Sequence, residues 1–134
     1  EALHLAEKNR QKESLRLLRL RNYFIDKILK DVPGTTLNGD ERRRIANNAN
    51  ISFQGLESEY LVLALDAEGV AVSAGSACVS GLADSSYVIM AMSGDRERAR
   101  SAVRFTLGRD TKKSDMDYVY KTVKKIVAKA RWKI

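Results

Sequence analysis

Two residues in this sequence have both a reactive group and a setting able to use it. Cys78 closes a run of small residues, Ser73-Ala74-Gly75-Ser76-Ala77-Cys78, and Val79-Ser80-Gly81 follows. Little side-chain bulk shields a sulfur there, and such a run reads as a loop, where a thiol can be accessible and mobile, as a transfer nucleophile must be. Taken alone, a single free cysteine is more often a buried small hydrophobe. No histidine or lysine within the loop lowers its pKa, so activation has to come from elsewhere. The glycines of this run lack the Gly-Lys-Ser/Thr ending of a phosphate-binding loop, which removes nucleotide binding from consideration.

Arg104 is the second such residue. It interrupts the apolar alternation Ala102-Val103-Arg104-Phe105-Thr106-Leu107, where a guanidinium has to be paired or face a cleft. One reading is a partnered arginine at a sheet edge. The other is a fixed fork that takes a carboxylate through two parallel hydrogen bonds. His4, on a polar helix end, reads as a surface residue.

The elements that would position these groups follow from periodicity. Residues 2–30 contain no Gly or Pro, and Leu17, Leu20, Phe24 and Ile28 recur at helical spacing, so one long amphipathic helix or two in tandem is expected. Its first dozen residues are polar and poorly patterned, as in an overhang that packs on something outside the domain. Val32-Pro33-Gly34 must end the helix, because the residue before proline is pushed out of helical conformation. Short strands are expected at Thr35 to Leu37, at Ile51-Ser52-Phe53 behind an asparagine-rich approach, and at Val70-Ala71-Val72. A helix from Ser58 should end at Gly69, and Tyr87 to Met92 also reads as helix. A strand at Ala102 to Leu107 and a closing helix capped by Ser114 complete the order. This order describes an α+β two-layer domain with a small, mostly antiparallel sheet packed by helices.

Composition restricts the class further. The chain has 134 residues, 44% hydrophobic and 31% charged, enough to bury one core and too apolar for disorder. One cysteine and one histidine exclude a disulfide scaffold and a structural zinc site. No segment is long and apolar enough to span a bilayer, and the charged start does not resemble a signal peptide, so a non-exported, cytoplasmic protein is expected. The net charge of +7 is concentrated at the end, where residues 121–134 hold six basic residues and no acidic one. Lys121, Lys124, Lys125 and Lys129 alternate with Val123, Ile126, Val127 and Ala130, which fits a solvated face opposite a core stripe better than a nucleic-acid patch.

The motifs carry a resemblance. Ala71-Val72-Ser73-Ala74-Gly75-Ser76-Ala77-Cys78, then Ser86-Tyr87-Val88, then Val103-Arg104-Phe105-Thr106-Leu107-Gly108-Arg109 are similar to the C-terminal part of the NifS/IscS-type cysteine desulfurases, pyridoxal-phosphate enzymes of the class-V aminotransferase group. Leu37-Asn38-Gly39-Asp40, Asn47 to Phe53 and Leu65-Asp66 fall in the same family order, so the similarity runs over nearly the whole chain. The chain departs from the family pattern at Ala46, Ser85, Met90 and Ser93.

The resemblance implies the small domain of a fold-type-I pyridoxal-phosphate enzyme, residues 32–134, with residues 1–31 as the helical segment joining it to a large domain. It implies that Cys78 takes the sulfur of L-cysteine and holds it as a persulfide, and that Arg104 binds the α-carboxylate. It also implies transfer of that sulfur to an iron–sulfur scaffold or other acceptor protein, and a homodimeric full-length enzyme. The family's cofactor lysine, ring-stacking histidine and pyridinium-pairing aspartate belong to the large domain. Nothing here matches those motifs, so this chain alone is expected to bind no pyridoxal phosphate and to lack activity. The alternative is a free-standing module that docks on acidic protein or nucleic acid through its basic helix.

Overall fold

The computed structural model describes residues 1–75 and 86–132, leaving aside the side chains of residues 2, 3, 5 and 6. Helix α1 (Ala2–Asp31) is a single helix. It stops where the sequence demands: Val32 is extended, with φ −117° and ψ 96°, ahead of Pro33. Gly34 then takes φ +67°, a conformation that calls for glycine, and a Cβ there would also displace the Arg131 guanidinium, 2.9 Å away.

Strands β1 (Thr35–Leu37), β2 (Asn48–Phe53), β3 (Ser73–Ala74) and β4 (Ala102–Thr106) form one antiparallel sheet in the order β1-β2-β4-β3. One face receives α1, α2 (Ser58–Asp66) and α5 (Lys113–Arg131). Phe24, Ile25 and Ile28 from α1 meet Ala49, Ile51, Phe53, Val103 and Phe105 from the sheet, with Leu61 and Leu65 from α2 and Val123, Ile126 and Val127 from α5. The Phe24 and Phe105 rings lie 5.0 Å apart at 58°, a tilted contact that fills the centre. At one end of the opposite face Ile89 of α3 (Tyr87–Ser93) and Ala99 of α4 (Arg96–Arg100) cover Ala102. The expected α+β two-layer architecture is the one observed. The C-terminal lysines line the solvent side of α5, and Val123, Ile126 and Val127 its buried side.

Two local expectations differ, and one further element, α4, has no counterpart in the sequence reading. The strand after α2 pairs at Ser73–Ala74 rather than Val70-Ala71-Val72, because Val70 is drawn into the core and its N–H still closes α2 on Leu65 O at 2.9 Å. The last helix begins at Lys113 instead of being capped by Ser114, because the Asp115 carboxylate accepts the Lys112 N–H at 2.8 Å. Helix α4 is a single short turn within a charged run, started by Asp95, whose carboxylate accepts the Arg98 N–H at 3.0 Å.

Polar clamps fix α1 to its neighbours. Arg21, 1% exposed, donates to Ile45 O at 2.8 Å and to Asn22 Oδ1, and so secures the segment that leads into β2. Asp117 on α5 accepts from Tyr23, from Lys27 at 3.1 Å and from Lys113 at 2.9 Å. The Tyr23 hydroxyl foremost, then the two ammonium groups, hold the Asp117 carboxyl well below the usual carboxylate range.

Two outcomes are expected. Phe105→Ala should lower unfolding free energy by roughly 3–5 kcal/mol in urea titrations, the range for deleting a buried phenyl ring. Because the folded pKa of Asp117 is depressed, its contribution is full above the unfolded value near about 4 and is lost as pH falls below it. Asp117→Asn should therefore flatten the fall in melting temperature between about pH 4 and the acid limit, and an unchanged slope would remove Asp117 from acid stability.

Candidate functional site

The strand β4 that carries Arg104 lies in the interior of the sheet, between β2 and β3, not at an edge. Successive side chains on a strand point to opposite faces, so with Val103 and Phe105 in the core Arg104 must face the other way. It is exposed there, and it has no hydrogen-bond or ion-pair partner among the described residues. It is therefore not the partnered arginine of a sheet edge: its guanidinium projects from an interior strand and meets no partner among the described residues.

Register supplies its neighbours. Arg104 is directly opposite Asn50 on β2 and directly opposite Ser73 on β3, and residues so paired share a face. Asn38, just past β1, continues the row, since its N–H bonds Asn50 O at 2.8 Å. The side chains on the β1 side of the row are linked. Asn38 Nδ2 donates to Asn50 Oδ1 at 2.7 Å and to Ser52 Oγ at 2.8 Å. Arg98 of α4 donates from Nε to Asn38 Oδ1 at 2.6 Å and from Nη2 to Leu37 O at 2.7 Å. The sequence reading treated Asn47 to Asn50 only as a polar approach to a strand and gave Asn38 and Arg98 no role. The available signal was the alternation Asn48, Asn50, Ser52, a polar period-two row that assigns those three residues to the face Arg104 occupies.

Cys78 lies outside the described residues, so its geometry adds nothing to the site. The segment that carries it leaves the sheet at Ser73–Ala74 and Gly75, beside Arg104. His4 is exposed, as expected.

A model described as aminotransferase class-V matches residues 1–119. The chain belongs to that family. Full-length members use pyridoxal phosphate. Over 130 residues it is 42% identical to a protein named cysteine desulfurase IscS from Dictyoglomus turgidum, a match covering 97% of this chain and 33% of that one. A protein of the same name from Vibrio campbellii is 40% identical over 131 residues, covering 98% and 32%. The chain thus spans about a third of the length of the curated relatives it matches. In fold it is similar to a solved NifS-like protein, with TM-score 0.81, 20% identity and coverage of 95% of this chain and 31% of that one. A NifS-like protein from Rickettsia africae gives 0.78 at 20% identity, covering 91% and 31%. None of these matches points to a free-standing docking module.

The described residues do not fit the family's cofactor by themselves. The cofactor's carbonyl needs a sheltered lysine that can give up its proton. No lysine among the described residues is buried, and Lys27, half-buried, is held firmly protonated beside Tyr23 and Asp117. No helix is long and apolar enough to cross a membrane among those described.

Two arginines provide a test of what the site arginine does for the fold. Arg104→Ala should leave stability within about 0.5 kcal/mol, as for an exposed residue without partners. Arg21→Ala should cost at least about 2 kcal/mol, because it vacates a buried volume and removes the shorter of the two hydrogen bonds to the Ile45 carbonyl. Chemical denaturation of the two variants measures the difference, and equal losses would assign Arg104 a structural role.

Proposed function

We propose that this chain is the small domain of a pyridoxal-phosphate-dependent cysteine desulfurase, with residues 1–31 joining it to a cofactor-bearing large domain and residues 32–134 forming the domain proper. In this reading Arg104 holds the α-carboxylate of L-cysteine and Cys78 accepts its sulfur. A bond forms between the Cys78 sulfur and the substrate sulfur while the substrate's carbon–sulfur bond breaks, its electron pair remaining on the carbon that becomes the methyl group of L-alanine. The persulfide then passes its outer sulfur to an iron–sulfur scaffold or another acceptor protein. The full-length enzyme acts in the cytoplasm as a homodimer, the cofactor is held by the large domain, and the small domain alone turns over no cysteine.

The observation that carries this reading is the unpaired guanidinium at Arg104. A charged fork with no partner among the described residues, fixed on a rigid strand, is suited to a carboxylate that arrives from outside. Its support is the root of the Cys78 segment at the same point of the sheet. Four residues of chain lie between Ser73, opposite Arg104, and Cys78, and five fully extended steps span at most about 18 Å. The names of the relatives at 42% and 40% identity agree with that chemistry.

The test uses the full-length polypeptide, or this chain fused to a large domain of the family, and measures alanine and sulfide formed from L-cysteine. Cys78→Ala should abolish sulfur transfer; activity at the unsubstituted level would refute the nucleophile. Arg104→Ala should raise KM by the equivalent of roughly 2–5 kcal/mol, the loss for one partner of a desolvated charge pair. An unchanged KM would remove Arg104 from the site.

A further inference from the structure

We infer that Asn50 is a second substrate-carboxylate ligand beside Arg104, held in its binding orientation by Asn38 and Arg98. The inference rests on the reading of Arg104 as the carboxylate site and adds the neighbouring donor. Its physical basis is a chain of amide orientations fixed by one residue that can only donate.

Arginine has no acceptor atom, so the Asn38 atom 2.6 Å from Arg98 Nε must be its oxygen. The Asn38 amide nitrogen then points the other way, to Asn50 and Ser52, and the Asn50 atom that receives it at 2.7 Å must again be oxygen. Ser52 reinforces this order, because its hydroxyl spends its own proton on Arg98 O at 2.7 Å and can only accept from Asn38. With its oxygen committed to Asn38, Asn50 presents its two amide N–H bonds away from β1, on the face it shares with Arg104. No described residue takes them. The same row thus sets a guanidinium fork and a neutral N–H donor side by side.

A carboxylate has about four lone-pair positions, and a bidentate arginine fills two. An amide N–H from Asn50 suits a third, and it adds directional selectivity because a group without an acceptor at that position leaves the amide unpaired. Asn50 would touch the substrate. Asn38 and Arg98 would not, and they act as positioning residues.

The experiment is steady-state kinetics with L-cysteine on the full-length enzyme. Asn50→Ala should raise KM roughly tenfold or more, as for loss of a hydrogen bond to a charged group, with kcat changed less than about twofold. Asn50→Asp keeps the size but turns a negative charge on the carboxylate, so its KM should rise further. Asn38→Asp still accepts from Arg98 yet cannot donate to Asn50, and its KM should fall between wild type and Asn50→Ala. Asn50→Val, well suited to a strand and lacking the donor, repeats the first reading should alanine unfold the domain. A purely structural role would lower kcat or stability without ordering the variants by charge. KM within about twofold of wild type for Asn50→Ala and Asn50→Asp, while Arg104→Ala raises it, would overturn the assignment of Asn50 alone. KM unmoved by Arg104→Ala as well would overturn the carboxylate reading beneath it.

Discussion

The pleat of a single strand governs this domain. Val103 and Phe105 of β4 must enter the core beneath α1 and α5, and once they do, strand geometry leaves Arg104 nowhere to go but the opposite face. The antiparallel register then brings Asn50 and Ser73 beside it, and with Ser73 the start of the segment that leads to Cys78. A one-residue slip between β2 and β4 would turn Ile51 and Phe53 outward, so core burial and site assembly are enforced by the same register.

The arginines show how differently one side chain can be employed. Arg21 is sealed in and secures the Ile45 carbonyl, while Arg16 on α1 grips the Thr111 and Arg109 carbonyls at 2.6 and 2.7 Å. Arg131 ties the end of α5 to the Pro33 and Gln54 carbonyls, and Arg98 fixes Asn38. Each of these four holds backbone carbonyls or an amide oxygen, which a flexible lysine would grip less rigidly. Arg104 holds none among the described residues, and it differs from the other arginines without a partner, such as Arg19 and Arg96 on helices, in standing on an interior strand of the sheet.

Much of this was legible in the sequence because it rests on local rules. The end of α1 at Val32-Pro33-Gly34, the stripe of α5 and the β4 alternation each follow from proline geometry or from a hydrophobic period, and the structure has them where those rules put them. The two-residue β3 was misplaced because Val70, strand-like by type, is claimed by the core at the end of α2, a tertiary effect no local window carries. Helix α4 is too short for periodicity to register. At the site, Arg104 was found as a charge out of place in an apolar strand. Asn38, Asn50 and Arg98 are far apart in the chain and become one network only through strand pairing and the docking of α4, so spacing could place Asn50 on the polar face of its strand but could not join it to the other two.

The sheet ends in strands of three and two residues, β1 and β3. Borders this short expose few unsatisfied peptide groups, so a neighbouring molecule finds too small a template to extend the ladder edge to edge. Neither β1 nor β3 carries a charged residue, so among the described residues it is the shortness of these borders, not a charged gatekeeper, that discourages fibrous self-association.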